Sequence, residues 1–149
     1  MNLKIKIMSD KIGDTIPKPY YATDGAAGMD LHACIDRPVV LKPGERTLVP
    51  SGIAAALPSN EYAAFVFARS GAATKHGIAL SNGVGVVDSD YRGEIKIGLI
   101  NLSGEEYTVN PGDRIAQMVI MPVCRTEIIT TESLDETERA GGGFGSTGR

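Results

Sequence analysis

The chain has 149 residues, of which 42% are hydrophobic and 22% are charged. This length suits a single hydrophobic core, and the composition is that of an ordinary globular domain. The formal net charge of −3 excludes the broad basic surface by which general nucleic-acid binders attract phosphate backbones. Because we find neither a signal-peptide pattern nor a long apolar run, we expect a cytoplasmic protein with no membrane or nucleic-acid partner.

Cysteine and histidine are too few and too scattered to form a metal site. Cys34 and Cys124 lie in separate apolar stretches without paired zinc-ligand spacing, and we interpret both as buried thiols. His32 and His76 have no carboxylates at matched spacing. We therefore do not expect a metal ion held by protein side chains alone.

Short strands and tight turns dominate the pattern along the chain. In residues 1–8, apolar and polar residues alternate, which predicts a strand with one buried face. Pro-Gly pairs at 43–44 and 111–112 suit type II turns. The one predicted helix covers 69–75. Further strands are predicted at 37–41, 46–50, 52–56, 62–68, 78–80, 83–87, 94–101, 107–109, 114–123 and 126–130.

These elements predict an all-β single domain, a sandwich or jelly roll, over residues 1–131. Residues 132–149 are rich in glycine and charged residues and cannot bury a core. We expect them to form a flexible C-terminal arm.

The first candidate site surrounds Asp88. The segment 80–94 runs from a hydrophobic strand into a polar turn and returns as a second apolar strand, which predicts a β-hairpin. A cavity inside it could admit a flat base, with Tyr91 on a sugar and Asp88 accepting a proton from water. The alternative is an ordinary turn whose carboxylates cap backbone amides, and spacing alone favours that alternative.

A second candidate site is the Arg69-Ser70-Gly71 segment, where a strand ends and the predicted helix begins. A guanidinium, a hydroxyl and an unobstructed amide are the donors that phosphate oxygens accept from. Alternatively, Ser70 only caps the helix and Arg69 is a solvated surface charge. Asp30 and Gln117 lie in or beside apolar strands, and for each a structural role and a ligand-binding role both remain open.

The tail from Arg139 carries one aromatic residue, Phe144, within a glycine-rich frame. Such a tail is either a disordered terminus or a flap that orders over a nucleotide, with the aromatic ring stacked on the base.

Five segments, at 27–31, 69–71, 85–94, 112–117 and 139–148, occur in a fixed order. Together they closely resemble the five motifs of the trimeric dUTPase family. The resemblance implies a homotrimeric jelly roll, or distorted β-barrel, whose active sites combine motifs from more than one subunit. It also implies a dUTP diphosphatase that releases dUMP and diphosphate, keeps uracil out of DNA and supplies dUMP for thymidylate synthesis.

The resemblance assigns a role to each candidate residue. Asp88 would activate the water that attacks the α-phosphate. Asp30 would reach Mg²⁺ through a water, with the ion held mainly by the triphosphate. Tyr91 would stack under deoxyribose and exclude a 2′-hydroxyl. The base would be read by Asn82, Val86 and Val87 with Lys96 nearby, the triphosphate held by Arg69, Ser70, Gly71 and Gln117, and the closing arm formed by Arg139, Phe144, Gly145, Ser146 and Thr147.

Two positions depart from the family's pattern. Ala140 stands where the fifth motif usually has glycine, and Ala72 and Ala73 stand where a larger apolar residue is common. Ala140 would restrict the arm if its backbone needs a positive φ. Two other hypotheses remain: a related dCTP deaminase, which the glycine-rich arm disfavours, and a non-catalytic trimeric nucleotide sensor or interaction module.

Overall fold

Short antiparallel strands form most of the fold, which we describe from a computed structural model covering residues 1–137 and 140–142. The one helix there is α1 (Ser70–His76), one residue away from its predicted position. The strands are β1 (Lys4–Ile7), β2 (Met29–His32), β3 (Val39–Leu41), β4 (Arg46–Pro50), β5 (Ile53–Ala56), β6 (Tyr62–Phe67), β7 (Ile78–Leu80), β8 (Gly85–Val87), β9 (Lys96–Asn101), β10 (Tyr107–Val109) and β11 (Arg114–Pro122).

The strands pair into four antiparallel sheets. Two sheets have two strands each, β1-β5 and β10-β3, and two are larger, β2-β11-β6-β8 and β4-β9-β7. The mainly β prediction is therefore confirmed. The expected distorted barrel is not what these strands form: over residues 1–137 and 140–142 the sheets remain separate and do not close on themselves.

The core lies between the sheets and is built by strands that alternate in burial. In β9, Ile97, Leu99 and Asn101 point inward, whereas Lys96 is exposed and Gly98 is half-buried. This period of two is what a strand with one face in the core requires. It directs Lys96 away from the core at the strand's first residue.

Three sequence-based predictions were wrong. Residues 126–130 form no strand, and Ile128 and Ile129 are 89% and 78% exposed, because no strand edge of the described chain pairs with them. Cys124 is exposed for the same reason, whereas Cys34 is buried as expected. The segment at 80–94 is not a hydrogen-bonded hairpin, a point that matters for the candidate site below.

Both Pro-Gly turns were predicted correctly. The amide of Glu45 donates to the carbonyl of Lys42 at 3.0 Å, and that of Asp113 donates to Asn110 at 3.1 Å. The glycines between them have φ values of 77° and 80°. Positive φ at the third residue of the turn is the feature that makes glycine the preferred residue there.

Gly52 allows a sharp connection between β4 and β5, and we predict that Gly52→Ala destabilises the fold. Its φ is 72°, and an added Cβ would lie 2.7 Å from the Cys34 sulfur. Backbone strain and overpacking together should lower the free energy of unfolding by about 2–4 kcal/mol. Chemical denaturation measures this change.

Gly44→Ala is the matched control, because Gly44 has a φ of 77° but open space around its added Cβ. It should cost only about 1 kcal/mol, from backbone strain alone. Equal losses at the two positions would show that the Cys34 contact is unimportant.

Within residues 1–137 and 140–142, no helix has both the length and the apolarity that crossing a membrane would require.

Candidate active site

A cavity of about 340 Å³ opens where the two larger sheets meet. This volume lies within the usual range for small-molecule sites. One wall is the edge strand β8, and another is the start of β9. Among the predicted base- and sugar-binding residues, the cavity is lined by Asn82, Val86, Val87, Tyr91 and Lys96, and by Asp88 as well.

The cavity exists because β8 and β9 belong to different sheets. β8 pairs with β6, whereas β9 pairs with β4 and β7. The predicted hairpin is thus a crossover between sheets. The connection from 88 to 95 is also longer than the usual hairpin loop of about two to five residues. Splaying of the two strands leaves room for a ligand where a hairpin would have closed.

Asp88 lies immediately after β8 and is exposed. It lines the base-sized cavity and also an adjoining cleft of about 380 Å³, which Ser89, Asp90 and Arg125 help to form. A carboxylate at this position can reach both a ligand in the cavity and solvent in the cleft. That is the position a group needs to act on a water molecule.

Tyr91 is 46% exposed and is held by its own loop. Its hydroxyl donates to the carbonyl of Glu94 at 3.0 Å, and its amide donates to the carbonyl of Asp88 at 3.2 Å. Its ring passes so close to Gly93 that an added Cβ there would clash with the hydroxyl oxygen. Glycine at 93 therefore allows the ring to lie flat over its own loop.

A second cluster gathers at one end of the four-stranded sheet, around Asp30 in β2. Its Oδ1 lies 2.8 Å from Nε of Arg69, and its Oδ2 lies 3.2 Å from Nη1 of Arg114. The side chains of Asp30 and Arg69 are only 16% and 29% exposed. Arg69 is therefore not the solvated surface charge of the alternative interpretation, because the carboxylate fixes its guanidinium.

Gln117, Ser70 and Gly71 lie beside this cluster. Gln117 is opposite Asp30 in the strand register, and its Nε2 donates to the carbonyl of Ala68 at 3.1 Å. Ser70 and Gly71 begin α1 and are exposed. Ser70 is not the cap residue, because Arg69 holds that position and provides no side-chain hydrogen bond to the helix start. The amide of Gln117 thus has a structural partner, and Ser70 faces solvent.

The two clusters lie far apart within one chain. Val87 pairs with Ala64 of β6, so the next residue, Asp88, lies level with Ala63. Asp30 pairs with Gln117, which in turn pairs with Phe67, four residues further along β6. Asp30 and Asp88 are thus separated by three strand spacings and four residues along the sheet. At about 4.8 Å per strand and 3.4 Å per residue, that separation is about 20 Å.

His32 follows Asp30 in β2 and is buried. Burial lowers the pKa of its imidazole below the ordinary value of 6.5, and Arg114 and Arg69 act in the same direction against the opposing effect of Asp30. The folded protein therefore favours neutral His32. Its contribution to stability is present above pH 6.5 and is lost as the pH falls from there to the lowered pKa of the folded state.

We predict that the free energy of unfolding of the wild type falls over this pH range and that His32→Gln reduces the pH dependence. Denaturant titrations at about pH 7.5, 6.5 and 5.5 would measure this change. An unchanged slope in His32→Gln would assign the pH dependence to other groups.

The surroundings of Asp30 are compatible with a Mg²⁺ ion that a bound ligand would carry. Over residues 1–137 and 140–142, no group of three or more His, Cys, Asp or Glu side chains is placed to hold a metal ion. Both oxygens of Asp30 already contact arginines. Mg²⁺ commonly takes only one or two carboxylates and completes its shell with waters and substrate phosphates. A water-mediated contact to Asp30 is compatible with that arrangement.

The structure adds residues that sequence reasoning missed. Arg114 joins the Asp30 cluster because β2 pairs with β11, and Leu48 of β4 lines the cavity at 62% exposure. No local sequence pattern predicts either contact, because both depend on strand pairing. The predicted arm residues Arg139, Phe144, Gly145, Ser146 and Thr147 lie outside the described residues.

Fold and site together define a β-rich domain with a base-sized cavity and a separate arginine-carboxylate cluster. The dUTPase family model matches residues 14–148. A deoxyuridine 5'-triphosphate nucleotidohydrolase of Desulfitobacterium hafniense is 53% identical over 99% of this chain and 97% of the relative. One from Idiomarina loihiensis is 49% identical with the same coverage of both chains. The chain belongs to the dUTPase family.

Solved structures agree on the fold. A dUTPase of Staphylococcus bacteriophage 80alpha, solved with dUpNHpp, has a TM-score of 0.85 and 24% identity over 99% of both chains. A dUTPase from phage phi11 of S. aureus, in which coordination of a structural Mg(II) ion was described, has a TM-score of 0.78 and 23% identity. That match covers 91% of this chain and 100% of the phage chain.

Proposed function

We propose that this chain hydrolyses dUTP to dUMP and diphosphate, with Asp88 orienting and deprotonating the water that attacks the α-phosphate. Family membership makes it a dUTP diphosphatase. The observation that carries the mechanism is the position of Asp88, at the mouth of a base-sized cavity and open to solvent on its other side. This activity would keep uracil out of DNA and supply dUMP for thymidylate synthesis.

Recognition of uracil is assigned to the main chain of β8, with Asn82 and Lys96 alongside. β8 is the last strand of its sheet, so one side of its backbone pairs with β6 and the other faces the cavity. Backbone donors and acceptors on an open edge can pair with the edge of a base. Cytosine presents the opposite pattern and would leave buried polar groups unpaired, at about 1–3 kcal/mol each.

The sugar is assigned to Tyr91. Its ring lies against its own loop and lines the cavity beside Asp88. A deoxyribose stacked on this ring would have no space for a 2′-hydroxyl, which would favour dUTP over UTP.

The triphosphate is assigned to Arg69, Ser70, Gly71 and Gln117. Arg69 is already oriented by Asp30, so little rotational freedom is lost when its guanidinium binds phosphate oxygens. Charge neutralisation and positioning are the main requirements of phosphoryl transfer. Mg²⁺ bound to the phosphates would neutralise further negative charge, with Asp30 reached through a water.

Each active site is proposed to combine copies of the chain in a homotrimer. Arg69 is fixed at Asp30, about 20 Å from Asp88 in the same chain by strand and residue spacing. A base and a phosphate donor that act on one nucleotide must both lie within hydrogen-bond reach of it. Bringing Asp88 of one copy to the Arg69 cluster of another resolves this conflict, and a jelly-roll trimer is the assembly that the family resemblance implies.

The glycine-rich arm, residues 132–149, is proposed to close over the site, with Phe144 on the base and Arg139, Gly145, Ser146 and Thr147 near the phosphates. Ala140 bears on this step. Its φ is 45°, the one positive value at a non-glycine residue within 1–137 and 140–142. A left-handed alanine costs about 1–2 kcal/mol, which supports the expectation that Ala140 restricts the arm.

The proposal is tested by incubating the purified protein with each dNTP and Mg²⁺. Diphosphate release from dUTP alone is expected. Release of ammonia from dCTP would instead identify a deaminase, and nucleotide binding without turnover would identify a sensor. Either outcome would overturn the proposed reaction.

A further inference from the structure

We propose that Glu94 is a positioning residue whose carboxylate fixes the Tyr91 ring and thereby sets discrimination between deoxyribose and ribose. The inference rests on the proposed function, since it concerns the sugar end of the same site. Glu94 touches no reacting atom in this assignment; it acts through the loop that carries Tyr91.

The contacts of Glu94 connect two parts of the fold. Its Oε1 accepts the amide of Gly52 at 2.9 Å, and its own carbonyl accepts the Tyr91 hydroxyl at 3.0 Å. The side chain therefore holds the loop to the β4–β5 turn, and the main chain holds the tyrosine ring. Glu94 is half-buried and lines the cavity, so both contacts lie at the site itself.

The anchor point on the other side is rigid. Gly52 has a φ of 72°, and its carbonyl accepts the amide of Met8 at 2.8 Å. The next residue along the loop is also tied down: the carbonyl of Ile95 accepts both the amide and the hydroxyl of Ser51. A carboxylate bonded to such a turn is held more firmly than one in a free loop.

The Tyr91 ring is exposed and is held by contacts within its own loop. The ring is 46% exposed, and its loop neighbour Gly93 offers no side chain to pack against. Among the described residues, the Tyr91 side chain makes one hydrogen bond, from its hydroxyl to the carbonyl of Glu94. If the Glu94 carbonyl shifts, the ring shifts with it, and the space that excludes a 2′-hydroxyl widens.

The test compares kcat and KM on dUTP and on UTP for the full-length protein and five variants, one of which combines Glu94→Leu with Tyr91→Phe. Glu94→Leu removes the carboxylate, whereas Glu94→Gln keeps an oxygen that can accept the Gly52 amide. Tyr91→Phe removes only the hydroxyl. Glu106→Leu, at an exposed glutamate outside the cavity, controls for loss of a surface charge. The decisive quantity is the ratio of kcat/KM for dUTP to kcat/KM for UTP, because a loss of stability alone would not change it.

Glu94→Leu and Tyr91→Phe are each expected to lower this ratio about tenfold, and the double variant should lose little more, because the two changes break one chain of contacts. Glu94→Gln and Glu106→Leu should stay within about twofold of the wild type. An unchanged ratio in Glu94→Leu, or a Gln variant as defective as Leu, would overturn the positioning role.

Two further outcomes are also decisive. If Glu94→Leu does not fold, the other two variants decide. An unchanged dUTP/UTP ratio in Tyr91→Phe overturns the proposal. A lowered ratio in Tyr91→Phe together with a wild-type ratio in Glu94→Gln supports it. Failure of the wild type to hydrolyse dUTP would instead remove the proposed function, and the Glu94 role with it. If the wild type hydrolyses dUTP but Glu94→Leu keeps the wild-type dUTP/UTP ratio, only the role of Glu94 is removed.

Discussion

Asp88→Asn should lower kcat for dUTP by about 10²–10⁴-fold, the usual contribution of a general base, while leaving the dissociation constant for the nucleotide nearly unchanged. Asparagine has almost the same shape as aspartate but cannot take a proton from water. Because the other residues that line the cavity, including Asn82, Tyr91 and Lys96, are unchanged, the base and sugar contacts should persist. Steady-state kinetics combined with calorimetric binding of a non-hydrolysable dUTP analogue would separate the two effects.

Asp90→Asn is the matched control for this prediction. Asp90 is a second exposed carboxylate of the same loop, and it lines the adjoining cleft but not the base-sized cavity. It should keep kcat within a few-fold of the wild type. Near wild-type turnover in Asp88→Asn, or equal losses in both variants, would show that Asp88 does not activate the water.

Mixing two inactive variants should restore activity if sites are shared between copies. Under the proposed roles, Asp88→Asn removes the base and Arg69→Gln removes a phosphate donor, so each variant should be nearly inactive when it assembles alone. In an equal mixture of randomly assembled trimers, about one quarter of the sites would pair an intact Asp88 with an intact Arg69 from another copy. Recovery of about a quarter of wild-type kcat is therefore expected after joint unfolding and refolding.

The control is the double variant, with both changes in one chain, mixed with wild type. Under the shared-site proposal, about a quarter of the sites should again be intact, because both copies that contribute to a site must then be wild type. If each site lay within a single chain, the first mixture would recover nothing and the second would retain half. These two patterns cannot be confused.

Local features of the fold could be predicted well from the residues alone. Gly44 and Gly112 occupy turn positions with positive φ, and the short helix begins within one residue of its expected start. Each of these depends on residues that are neighbours along the chain, where sterics and side-chain period act directly.

Strand pairing could not be predicted in the same way. The segment 80–94 has the sequence pattern of a hairpin, yet β8 pairs with β6 and β9 with β4 and β7. Residues 126–130 have a strand pattern but no partner in the described chain. Pairing depends on which edges are free once the core has formed, and a local pattern carries no information about that.

The amino-acid sequence alone identified the motifs, their order and hence the family, which the family model then confirmed. Only the tertiary structure joined Asp30 to Arg114 across 84 residues and opened a cavity between two sheets beside Asp88. It also separated Asp88 from the Arg69 cluster within one chain. The physical reason is that motif chemistry belongs to single side chains, whereas distances between them are set by long-range pairing and burial.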